Sequence, residues 1–307
     1  MFFLPWLPVI MGLSGLEDAL VTTIGDFLNR GLPLRRILLV ASLLKHCRVD
    51  IPEKGGLIER ILKEQKADGG WVDCEDTAWA VYYLSDVTEC ETQVASGLEW
   101  LLTERCGKLG WGFCKRDQPC IPITGQILHF LPAISCSVEA SSWLEEEWRK
   151  DLLSPINLNY KAAFYLLAYI SMRDRCSLSE SLFSETIDYL IREQREDGSW
   201  GPWKCHPAPS ECFITGICLG ALALSRSVVD LEQIIPTLNR SIEWIAGSQL
   251  KNGLFPTHYI EEGSAWLFFG WKKTQEAIGA RSDENPTDRQ VSSDAGRDSL
   301  QNLLALQ

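Results

Sequence analysis

Two kinds of helical run alternate along this chain. One is amphipathic, with apolar residues spaced by three and four, over residues 16–29, 57–65, 98–111, 142–153, 182–194 and 238–249. The other is apolar nearly all round, over 34–44, 77–84, 121–131, 160–171, 215–224 and 265–271. A helix with one apolar stripe turns its other side to water, whereas one that is apolar all round is buried. Each amphipathic run is therefore an outer helix and each uniform run an inner one. Six such pairs let the inner helices close into a ring around a cavity lined by their own side chains. The expected fold is all-α, a single-domain (α/α)6 barrel over residues 15–280.

A short phrase recurs between the runs: Gln65-Lys-Ala-Asp-Gly-Gly-Trp71, Gln194-Arg-Glu-Asp-Gly-Ser-Trp200 and Gln249-Leu-Lys-Asn-Gly-Leu-Phe255, with a degenerate copy ending at Trp111 in which Glu104 replaces Gln. A phrase repeated at separated sites marks a repeat architecture. Its glycine lets the chain turn after the outer helix, and its Gln and ring can clamp neighbouring units from outside the ring. Four inner runs open on a hydroxyl followed by a small residue, at Thr77-Ala78, Thr124-Gly125, Thr215-Gly216 and Ser264-Ala265. The hydroxyl suits a helix N-terminus, and the small residue permits close helix packing.

The flanks differ from the barrel. Residues 1–14 are apolar but lack a cationic start and contain Pro5 and Pro8. They read as a segment covering a core opening, with weak contact to a membrane interface as the alternative, and not as a signal peptide. Residues 281–307 lack apolar periodicity and read as a disordered tail.

Composition removes some function classes. A net charge of −12 leaves no basic face for nucleic acid or for docking on anionic lipid. No apolar run reaches the ~18 residues of a membrane span. Eleven scattered cysteines, an odd number, point to free thiols in a reducing compartment, hence a cytoplasmic protein.

One repeat carries added chemistry: Asp73-Cys74-Glu75-Asp76-Thr77-Ala78 follows Trp71 at the start of an inner run. A carboxyl among carboxyls retains its proton, because like charges do not all ionise cheaply. The same acids also suit a helix N-terminus as caps.

The phrase resembles the QW repeats of the squalene/oxidosqualene cyclase and prenyltransferase superfamily, and the likeness covers roughly residues 15–278. The acidic stretch is similar to the Asp-x-Asp-Asp-Thr-Ala of that superfamily's class II terpene cyclases, with Glu75 where the family's proton-donating Asp stands. The resemblance implies an isomerase- or lyase-type enzyme that cyclises a linear isoprenoid by protonation, with Glu75 as acid and Asp73 and Asp76 supporting it. The resulting cation would be held by rings on the inner runs through cation–π attraction. The candidates are Trp79, Tyr82, Phe130, Phe164, Tyr165, Phe213, Trp266 and Phe269. Since the chain lacks an Asp-Asp-x-x-Asp cluster for magnesium, any diphosphate on the substrate would survive the reaction, held by Lys161, Arg35 or Arg36. Magnesium would enter only as its counter-ion, and no other cofactor is expected. The family's class II sites usually lie between two barrel domains, and this chain has residues for one, which leaves room for a homodimer.

Other readings stand beside this one. A non-catalytic isoprenoid-binding barrel would keep the cavity without a productive acid. A zinc-dependent prenyltransferase binds its metal through Asp-x-Cys and a distant His, but Asp73-Cys74 lacks the intervening residue, and in Ile214-Thr215-Gly-Ile-Cys218, which resembles the family's His-Thr-x-x-Cys helix, Ile214 stands at the His position. A lanthionine cyclase-like zinc site would use Cys114, Cys205 and His206.

Overall fold

In the computed structural model, residues 13, 15–107, 109–154, 159–201 and 211–283 are described. They form twelve α-helices and no strand. The outer helices are α1 (Leu16–Asn29), α3 (Lys54–Glu64), α5 (Glu91–Glu104), α7 (Ser137–Leu152), α9 (Glu180–Glu193) and α11 (Leu231–Ser248). The inner helices are α2 (Arg35–His46), α4 (Cys74–Leu84), α6 (Ile121–Phe130), α8 (Asn159–Met172), α10 (Glu211–Ser225) and α12 (Ile260–Asp283). A 3-10 turn, Thr88–Cys90, precedes α5.

Burial follows the pattern of the sequence. On α11 the buried positions are Ile234, Thr237, Leu238, Ser241, Ile242 and Ile245, a single stripe. On α10 almost every residue from Cys212 to Ala223 is buried. The inner helices touch in the order α2, α4, α6, α8, α10, α12 and back to α2, a closed ring. Outer helices sit in the outer grooves: α1 packs on α12 and α2, α7 on α6 and α8, and α11 on α10 and α12. The last helix runs to Asp283, slightly beyond the expected barrel end. The apolar segment before Leu13 and the tail from residue 284 lie outside the described residues.

The repeated phrase closes each unit by one set of bonds. The Gln65 amide donates to the Gly69 carbonyl at 2.8 Å and the Gln93 carbonyl at 3.0 Å, and Gln194 does the same to Gly198 and Thr237. Gln249 donates to Gly253 at 2.7 Å. Glu104, in the degenerate copy, instead pairs with Lys115 at 2.9 Å. The indole N–H of Trp71, Trp111 and Trp200 donates to the carbonyl ten residues back in the preceding outer helix, Ile61, Leu101 and Leu190, at 2.7–2.8 Å.

The inner-helix hydroxyls complete the clamp. The backbone N–H groups of Trp71, Trp111, Trp200 and Phe255 donate to Thr77, Thr124, Thr215 and Ser264. Gly198 needs both its left-handed φ of 93° and its missing side chain, because a Cβ there would lie 2.1 Å from the Arg240 carbonyl oxygen. The small residue after each hydroxyl serves contact within the ring. A Cβ on Gly125 would meet the Phe164 carbonyl oxygen at 2.7 Å, and one on Gly216 the Trp266 carbonyl carbon at 2.3 Å.

Candidate active site

The N-terminal turns of the six inner helices enclose a cavity of about 640 Å³, within the usual range for ligand sites. It opens at the end of the barrel where the phrase loops cross, since Arg35 and Tyr259, 51% and 46% exposed, both line it. One register repeats around the wall. The lining positions are Arg35, Arg36 and Leu39 on α2; Glu75, Asp76 and Trp79 on α4; Pro122, Ile123 and Gln126 on α6; Glu262, Gly263 and Trp266 on α12. Each set shares the spacing i, i+1, i+4, one face of a helix, and Glu261 of α12 lines the wall beside it. Tyr160 and Phe164 on α8 follow the same spacing, and Phe213 comes from α10.

This register divides the cavity into two tiers. The upper tier is charged along the adjacent helices α12, α2 and α4, and apolar across α6, α8 and α10. The lower tier is Leu39, Trp79, Gln126, Phe164 and Trp266. Trp266 is its hub, with Trp79, Phe164 and Phe213 at ring-centroid distances of 6.1, 5.8 and 6.1 Å and planes inclined at 61°, 88° and 83°. Such edge-to-face packing is favoured by the ring quadrupoles.

The three acids of the α4 motif separate by role. Asp73 is the helix N-cap and accepts the Asp76 backbone N–H at 2.9 Å. It also pairs with Arg35 at 3.1 Å. Glu75 and Asp76 face the cavity. Glu75 lies 3.5 Å from the other guanidinium nitrogen of Arg35. Burial, then Glu262, Asp73 and Asp76, push its pKa up to about 8, against a lowering by Arg35. Burial and Asp73 raise Asp76 to about 7, and its Oδ2 is buried without a hydrogen-bond partner. Across the mouth, burial and Glu261 raise Glu262 to about 7. Glu261 itself is bonded to Arg36.

Of the expected ring residues, Trp79, Phe164, Phe213 and Trp266 line the cavity. The other four do not. Phe130 and Phe269 lie behind the lower tier, against Trp79 and Trp266 respectively. Tyr82 is tied to His46, its hydroxyl 2.9 Å from Nδ1, in a cluster below the cavity. Tyr165 is one residue, and so about 100° of helix, past Phe164. It stacks instead on Trp148 of the outer layer.

The cations expected to hold a diphosphate are all paired: Arg35 as above, Arg36 with Glu261, and Lys161 with Asp151 at 2.6 Å. Cys218 is buried and bonded to the Asn159 carbonyl, and no group of three metal-ligating side chains comes together among the described residues. Cys205 and His206 lie outside the described residues. Sequence reasoning missed Gln126, Glu262, Tyr160 and Phe113. Their signal was positional, since Gln126 and Glu262 occupy the same helix register as Trp79 and Glu75.

No family model matches the chain. Among curated proteins it is similar to cis-abienol synthase, chloroplastic, of Nicotiana tabacum, 29% identical over 115 residues. It is also similar to beta-phellandrene synthase (neryl-diphosphate-cyclizing), chloroplastic, of Solanum lycopersicum, 34% identical over 97 residues. These matches cover 36% and 31% of this chain but only 14% and 12% of those proteins. Among solved structures, a variant of the type II terpene cyclase MstE from Scytonema, in complex with the substrate geranylgeranyl dihydroxybenzoate, superposes with a TM-score of 0.69. That match covers 88% of this chain and 99% of that one at 13% identity. The fold is that of the type II terpene cyclases. A protein from Actinoplanes also superposes on this chain, with a TM-score of 0.61 at 12% identity, over 84% and 99% of the two chains. No helix among the described residues of this cyclase-like barrel is long and apolar enough to cross a membrane.

Proposed function

We propose that this chain is a class II terpene cyclase that protonates a linear isoprenoid through Glu75. The observation that carries the reading is a proton-holding carboxyl on the wall of a ring-lined cavity. With its pKa raised to about 8, Glu75 is loaded at neutral pH.

In this reading the Glu75 O–H bond breaks as its proton adds to the terminal alkene or epoxide of the substrate. The alkene π pair, or an epoxide lone pair, forms the new bond, and positive charge develops on carbon. The carboxylate left behind faces the Arg35 guanidinium, already 3.5 Å away. Burial keeps the acid loaded, and Arg35 stabilises its conjugate base. The faces of Trp79, Phe164, Phe213 and Trp266 stabilise the cation while excluding water. Asp76 and Asp73 maintain the negative surroundings that hold the Glu75 proton, and Asp73 also fixes the first turn of α4. The cation ends by proton loss or water capture.

The plant enzymes and MstE, named for cyclised terpenes or bound to a prenylated arene, support an isoprenoid ligand. The alternative is a barrel that binds isoprenoids without turning them over, in which the acids serve as helix caps. Mass spectrometry of products from farnesyl and geranylgeranyl diphosphate, squalene and 2,3-oxidosqualene, with wild type beside Glu75→Gln, separates the two. A cyclic product lost in the variant, with ligand affinity kept, supports the cyclase. Affinity without product in either protein favours the binding barrel.

A further inference from the structure

The charges around the cavity mouth bear on the other end of the substrate. Five acidic side chains lie in or directly behind the upper tier: Glu75, which holds its proton in the reading above, and Asp73, Asp76, Glu261 and Glu262. Two cations stand among them, and both are committed. Arg35 bridges Asp73 at 3.1 Å and Glu75 at 3.5 Å, and Arg36 is bonded to Glu261. Lys161, at the start of α8, is held by Asp151 at 2.6 Å. Among the described residues, every lysine or arginine at the start of an inner helix that sequence reasoning offered to a diphosphate is therefore already paired with a carboxylate.

The rest of the mouth is mainly apolar and aromatic, with Thr257 and His258 as its polar members. Phe113, Tyr160 and Tyr259 line it, with Pro122 and Ile123 on α6. The acid and the opening share one tier, and the lower tier is floored by Trp79 and Trp266. A chain presenting its terminal alkene to Glu75 and coiling over that floor brings its head group back to the same opening. There the head group meets the carboxylates.

We infer that the substrate is an isoprenoid with an uncharged head group, such as an alcohol, and that a diphosphate is rejected at the mouth. This rests on the isoprenoid reading of the cavity given above. A diphosphate brings two to three negative charges to a mouth whose two arginines are already paired with Asp73 and Glu261 and whose remaining acids can only add negative charge, and like-charge juxtaposition disfavours binding. It would also compete with Asp73 and Glu261 for Arg35 and Arg36. An uncharged head group leaves all of these ion pairs in place and rests on the aromatic side of the mouth.

The test compares binding of farnesol and farnesyl diphosphate by quenching of tryptophan fluorescence, with and without magnesium, on wild type and on the double variant Glu261→Gln/Glu262→Gln. Wild type is expected to bind farnesol at least about tenfold more tightly than farnesyl diphosphate. The double variant frees Arg36 and removes two acids from the mouth, so it should gain affinity for the diphosphate several-fold, by more than any change in farnesol binding. A gain for one ligand alone is not what damaged folding produces. Equal or tighter binding of farnesyl diphosphate to wild type overturns the inference and leaves the cyclase reading intact. A preference that the double variant does not move also overturns it, since the carboxylates are then not its cause. Binding of neither ligand overturns both this inference and the isoprenoid reading of the cavity.

Discussion

Glu75 ties the chemistry of the site to its energetics. Its ordinary pKa of 4.5 is raised to about 8 in the folded chain. The protonated form is the acid, so turnover is expected to stay flat through neutral pH and to fall as pH rises through about 8. A pH–rate profile with a single basic limb there checks this. The same shift affects stability. A carboxyl raised on folding binds more protons folded than unfolded between the two pKa values, so its contribution is full below about 4.5 and is lost as pH rises through 8. Asp76 and Glu262, both raised to about 7, act in the same direction. Glu75→Gln removes one of these groups, and its melting temperature should gain on wild type as pH goes from 5 to 8. Gln126 is a second group held at a cost. It is 2% exposed in the lower tier, and no protein group bonds its Nε2. Gln126→Leu should stabilise the unliganded protein by about 1 kcal/mol in urea titration. The sequence showed the acids as a motif. It did not show which faced the cavity, because that depends on where α4 begins, and Asp73 as N-cap sets this one turn above Trp79.

At the scale of the helix pair, the phrase and the inner-helix hydroxyl are one device. Trp200 is fully buried, with its indole N–H on Leu190 and its backbone N–H on Thr215. Trp200→Ala should cost about 3–5 kcal/mol, read by chemical denaturation. Gly216→Ala acts differently. Its new methyl would press on the backbone at Trp266 from 2.3 Å and force α10 and α12 apart. It should lower stability by about 1–3 kcal/mol and weaken isoprenoid binding together, since Trp266 is the hub of the lower tier. These elements were legible because helix burial is written in the period of the apolar residues. The ring residues were half legible. Phe164 and Tyr165 are adjacent and equally aromatic, and only helix phase sends one to the cavity and the other to Trp148.

The whole molecule is a closed ring whose inner helices all point their N-termini at one opening. That arrangement follows from the alternation of outer and inner helices, and it gathers first-turn side chains from all six inner helices around one cavity. Ring closure was readable from the count of helix pairs. The charge asymmetry of the mouth was not, since Arg35, Glu75 and Glu262 are far apart in sequence and meet only because α12, α2 and α4 are neighbours once the ring closes. The central claim is that the reaction begins with a proton delivered to carbon or oxygen of the substrate, not with departure of a leaving group. Turnover of squalene or geranylgeraniol in deuterium oxide, with mass spectrometry of the cyclic product, tests this most directly. Protonation of an alkene through Glu75 predicts one deuterium bound to carbon in each product molecule, and no product from Glu75→Gln. A cyclic product that carries no solvent deuterium would contradict it.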